Sequence, residues 1–166
     1  MTDDVFYAPI TELSARLRKK EFSAVELAKA FGDRLATLGP RYNALALPLT
    51  EVAVKRAKTV DEEMKRDRLR GPLQGIPFGA KDLLAFAGHR TTWGAKPYET
   101  QVLDETATVL NKLDGTGAVL VGKLSMIELA GGPRSLSEID RHRRSRIAIW
   151  RPGWIDNSSR FVLAES

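Results

Sequence analysis

Between Gly71 and Ala95 the chain reads GPLQGIPFGAKDLLAFAGHRTTWGA, and this stretch limits the fold more than any other. Gly71, Gly75 and Gly79 are interleaved with Pro72 and Pro77. Proline removes a backbone donor and glycine weakens regular structure, so the segment is extended or looped and not helical. Whatever is regular in this chain has to pack around it.

The flanks carry clear periodicity. Ile10, Leu13 and Leu17 share one face of a short helix beginning near Thr11. Ser23 and Glu26 form a capping-box pattern ahead of Val25, Leu27, Ala28, Phe31 and Leu35, which predicts a second helix to about Leu38, closed by Gly39 and Pro40. Asn43 to Leu49 alternates as a strand does, and Val52 to about Leu69 is a charged amphipathic helix ended by Gly71 and Pro72. Further on, Asp104 is placed to cap a helix with Val109, Leu110 and Leu113 on one side, and Gly115 and Gly117 close it. Ala118 to Val121 is a short, continuously apolar strand of the kind buried in a parallel sheet. Ser125 and Glu128 repeat the capping-box spacing and predict one more helix. Strand, crossover helix, strand is the order of an α/β fold, and no internal repeat interrupts residues 1 to 132.

Lys81 is the residue most open to chemistry. Its neighbours Phe78, Ala80, Leu83, Leu84 and Phe86 are expected to bury the segment, and desolvation favours the neutral amine. A neutral lysine can take a proton from a serine hydroxyl and so activate a weak nucleophile. The plainer alternative is a solvated surface lysine beside Asp82.

The run GIPFGAKDLL, the downstream TTWGA and the stretch DETATVLNKLDGTGAVLVGKLSMIELA at residues 104 to 130 together resemble the amino-terminal part of the amidase signature family. That family includes general amidases and the A subunit of the glutamyl-tRNA amidotransferase. The resemblance spans roughly residues 8 to 132, about three quarters of the chain. It implies an α/β fold with a mixed sheet flanked by helices, of which this chain holds an amino-terminal fragment, and hydrolysis of small amides without metal or organic cofactor. It also implies a Ser-Ser-Lys triad in which Lys81 is the lysine. In that mechanism the lysine accepts a proton through a bridging serine, and a second serine attacks the amide carbonyl to give an acyl-enzyme.

Beyond Met126, Glu128 and Leu129 the resemblance stops. Family members continue into a glycine- and serine-rich loop that supplies both serines and the donors for the oxyanion. Here the sequence runs PRSLSEIDRHRRSRIAIWRPGWIDNSSRFVLAES. Ser158 and Ser159 sit between Asn157 and Arg160 without the glycines that would turn backbone N–H groups toward an oxyanion, so neither is assigned as nucleophile. The chain is expected to be a truncated amidase-family protein, inactive alone.

Composition changes at the same place. Residues 1 to 132 hold ten Lys and nine Arg, whereas residues 133 to 166 hold seven Arg, no Lys and two of the three Trp. The first part is expected to be the amidase portion and the second a divergent, irregular Arg-rich tail. The cluster Arg141 to Arg146 offers guanidinium groups for phosphates, with Trp150 or Trp154 to stack on bases. No recognised binding module surrounds it, so nucleic-acid binding stays the lesser expectation, beside a non-catalytic interaction module.

Several classes drop out on composition. Zero cysteines exclude a disulfide framework, a thiolate nucleophile and a zinc–cysteine site. No apolar run approaches the roughly 20 residues that span a bilayer, and the polar start MTDDVFY is unlike a signal peptide, so a cytoplasmic setting is expected. His89 lacks a matching set of Asp, Glu or Cys and reads as loop chemistry or a proton shuttle. Thr91 and Thr92 match the family's TT-G element and serve either the substrate side or turn capping. Gly131 and Gly132 lack the spacing of a phosphate loop.

Overall fold

The capping box at Ser23 is formed in full. In the computed structural model, which describes residues 3–131, Ser23 Oγ accepts the Glu26 N–H at 3.1 Å and the Glu26 carboxylate accepts the Ser23 N–H at 2.8 Å. Helix α2 (Ala24–Leu38) grows from this cap. Its first turn is gripped from outside as well, because Asp61 accepts the Ala24 and Val25 N–H groups at 2.7 and 3.1 Å. Those donors have no partner within their own helix, and a carboxylate satisfies them at the positive end of the helix dipole.

Asp61 belongs to α3 (Thr50–Lys65), which packs along α2. Leu27 and Ala28 of α2 meet Ala53, Ala57 and Val60 of α3 in the core, joined by Leu13 and Leu17 from α1 (Ile10–Arg18). The expected helix to Leu69 stops four residues early. Asp67 takes the left-handed conformation at φ 56°, and Gln74 then holds the passing strand by accepting the Arg70 N–H and donating to the Arg68 carbonyl.

The sheet has three strands in the order β1 (Leu45–Pro48), β3 (Val119–Leu124), β2 (Pro77–Lys81). β1 runs antiparallel to β3, and β2 runs parallel to it. This is the mixed α/β sheet flanked by helices that the resemblance implies. The return from β2 to β3 passes through a long loop and α4 (Thr108–Gly115). Asp104 does not cap α4. Its N-cap is Ala107, with no side-chain cap, and the Ala107 N–H bonds instead to the Ala85 carbonyl, so the loop's own pairing sets where the helix starts. The helix expected from Ser125 does not form either. The Ser125 N–H is held by the Ala44 carbonyl, and only a 3-10 turn follows at Glu128–Ala130, with Leu129 at φ 49°.

β3 carries a bulge. Phe78 pairs with Leu120 and the next residue, Gly79, with Gly122, so Val121 is the extra residue. A bulge reverses the alternation of side chains beyond it. Val119 and Val121 face the helical core, yet a Cβ on Gly122 would lie 2.7 Å from Leu35 of α2, so Gly122 faces the helices too. Lys123 is thereby turned to the opposite side.

Candidate active site

Lys81 ends β2 in register with Leu124, which ends β3. The carboxyl ends of parallel strands are where α/β sheets place their ligands. The Lys81 side chain is exposed, and its Nζ donates to the Ser125 carbonyl at 2.9 Å. The burial expected from its apolar neighbours is not found: Ala80 is buried, but Phe78, Leu84 and Phe86 are half-buried and Leu83 is 49 % exposed. Strand alternation sends Ala80 and Asp82 inward and leaves Lys81 outside.

Beneath Lys81 lies a second lysine. Lys123 is 0 % exposed, and its Nζ faces three oxygens: Asp82 Oδ1 at 2.7 Å, the Arg90 carbonyl at 2.8 Å and Thr91 Oγ1 at 2.6 Å. Asp82 is 1 % exposed and receives the Thr92 N–H at 3.0 Å and the Thr92 hydroxyl on Oδ2. Its Oδ1 has no aligned hydrogen-bond donor, so the Lys123 contact there is ionic. The pair thus has nearly all the partners a buried pair requires. Sequence reasoning weighed Asp82 only as a neighbour of Lys81 and passed over Lys123. The signal was present, since a lysine inside the apolar run AVLVGKL requires a buried counter-charge.

Two loops close over the strand ends. Gly94, at φ 68°, lies so near the 125–127 backbone that a Cβ would stand 2.8 Å from the Met126 carbonyl. Leu129 donates its N–H to the Trp93 carbonyl at 2.8 Å. Thr91 and Thr92 therefore anchor the buried ion pair, which is a structural duty beyond turn capping. His89 Nδ1 lies 2.9 Å from the Ala87 carbonyl and its ring stacks on Phe86 at 4.6 Å. Among the described residues no group of three His, Cys, Asp or Glu is placed to hold a metal ion, and His89 is in no such set. Ser125 Oγ is buried and has no hydrogen-bond partner. Gly132, Arg141 to Arg146, Trp150, Trp154, Ser158 and Ser159 lie outside the described residues.

The fold and site define an α/β protein with its chemistry at the carboxyl ends of two parallel strands. The chain belongs to the amidase family, whose family model matches residues 26–139. It is 38% identical over 129 residues to the A chain of the glutamyl-tRNA(Gln) amidotransferase of Carboxydothermus hydrogenoformans, covering 78% of this chain and 27% of that one. Its counterpart in Methylococcus capsulatus is 37% identical over 123 residues, covering 74% and 25%. Among solved structures, the peptide amidase of Stenotrophomonas maltophilia superposes with a TM-score of 0.70 at 32% identity, covering 77% of this chain and 27% of that one. This chain spans about a quarter of the length of the curated relatives it matches. Among the described residues no helix is long and apolar enough to cross a membrane.

Proposed function

We propose that Lys81 is the proton-accepting member of a Ser-Ser-Lys triad acting on small amides, and that residues 3–131 cannot complete the reaction by themselves. The observation that carries this reading is the position of the Lys81 amine: at the tip of a parallel strand pair, exposed, and oriented by the Ser125 carbonyl. A base so placed can reach a hydroxyl presented from outside the described residues. The proton would pass from the nucleophilic serine through the bridging serine to Lys81, and return to the leaving amine. Asp82 and Lys123 neutralise each other below and so fix the strand end without competing for that proton. The reading carries a cytoplasmic setting, in keeping with relatives that are amidotransferase components.

A segment exchange tests the role of Lys81. Residues 71–95 of this chain would replace the matching stretch of the S. maltophilia peptide amidase, and amide hydrolysis would be followed. The exchanged enzyme should keep activity, and Lys81→Ala within it should lose about a thousandfold or more in kcat, in the range seen when one member of a catalytic triad is removed. Equal activity with lysine and alanine would overturn the assignment.

A further inference from the structure

A groove of about 400 Å3 opens between α2 and β2, lined chiefly by Phe6, Phe31, Leu35, Leu38, Phe78 and Leu124. β3 lies between its two neighbours, whereas β2 is hydrogen-bonded only to β3 among the described residues. Its other edge is open and adjoins the groove. An open strand edge beside an apolar cleft is a template for an added strand, whose backbone pairs with the edge while alternate side chains enter the cleft. Arg34 borders the groove and Lys81 ends the strand, so an incoming segment is favoured if it is apolar and not basic.

We infer that the β2 edge and this groove form a docking surface for the complementary portion of an amidase-family polypeptide, which adds a strand to β2 and buries apolar side chains against Phe78 and Leu38. The inference rests on the family reading. Its occupant follows from the superposition: this fold coincides with 27% of the peptide amidase chain at a TM-score of 0.70, so the larger part of that polypeptide lies outside the match. Docking at β2 rather than at β1 also brings the partner to Lys81, which alone of the strand's residues stands at the proposed reaction site. A fragment with an exposed base and an open apolar cleft on the same strand is built to be completed.

The test co-expresses the full 166-residue chain with a tagged polypeptide carrying the portion of the S. maltophilia peptide amidase beyond the matched region, and, separately, with the corresponding portions of the two amidotransferase chains. A 1:1 complex is expected with at least one of them. Phe78→Glu and Leu38→Glu should each weaken it about tenfold or more, because a carboxylate would be buried against apolar surface. Val109→Glu, on the exposed side of α4, should leave it unchanged. Failure of all three to bind, binding indifferent to both groove variants, or a stable homodimer of this chain sealed by the same edge would each overturn the inference. Amide hydrolysis by the complex is read separately. A complex that forms but shows the same rate with Lys81→Ala would leave the docking surface standing and remove the catalytic assignment.

Discussion

Lys123 and Asp82 meet across the seam between β3 and the segment leaving β2, Nζ to Oδ1 at 2.7 Å, with almost no solvent reaching either side chain. The pair joins the sheet to the loop at residues 90–92, since Lys123 also holds Arg90 and Thr91 while Asp82 holds Thr92. Removing one member strands the other's charge in the interior, whereas removing both does not. Lys123→Met should therefore cost about 3–5 kcal/mol in chemical denaturation. The double variant with Asp82→Leu should cost less than the sum of the single changes by more than about 0.5 kcal/mol. Simple additivity would show that the two charges are not coupled.

The Ser23 cap gives a pH dependence of known sign. Hydrogen bonds from the Ser23 backbone and then its side chain hold the Glu26 carboxyl below the usual glutamate range. A carboxyl depressed in the folded state adds stability above its unfolded pKa, and that stability is lost as pH falls through the lower, folded value. Acid titration of the Glu26 side chain by NMR should find it below an ordinary glutamate. Ser23→Ala should raise it and cost about 1 kcal/mol at neutral pH. A Glu26 that titrates alike in both proteins would refute the coupling.

Gly94 sets the spacing of the two loops over the strand ends. Gly94→Ala combines a left-handed φ with a carbonyl 2.8 Å from the new methyl, so it should destabilise by roughly 1–3 kcal/mol. The Leu129 amide, bonded to Trp93, should lose hydrogen-exchange protection more than amides in α2. Uniform loss across both would mean that the loops are not separately anchored.

Lys81 should matter little to stability. Its exposed side chain makes a hydrogen bond to the Ser125 carbonyl, and Lys81→Ala is expected to cost no more than about 1 kcal/mol by thermal or chemical denaturation. The purified chain should not hydrolyse simple amides above background. Turnover abolished by Lys81→Ala in the chain alone would show that it already holds a nucleophile.

How far the fold could be read from residues depended on the range of the forces involved. The cap at Ser23 was legible because Ser23 and Glu26 are three residues apart and satisfy one another. The same spacing at Ser125 misled, because a distant carbonyl, that of Ala44, claims the Ser125 N–H and holds it in the sheet's continuation. Asp104 failed as a cap for a similar reason, the Ala85 pairing at Ala107 fixing the helix start. At the site, the sequence singled out Lys81 but misjudged its environment. Apolar neighbours along a strand bury alternate residues, and the burial fell to Asp82 and, through tertiary contact, to Lys123.

The extra residue in β3 has a consequence for how this strand can change. With Val121 in place, one strand serves two incompatible tenants, an aliphatic layer on one side and an ammonium on the other, by reversing its parity midway. Deleting Val121 would restore strict alternation and point Lys123 at Leu35 and the helices, an error no single side-chain exchange could mend. Length at this position is therefore constrained more tightly than identity: Val121 tolerates another small apolar residue, but the count between Leu120 and Lys123 does not tolerate a change.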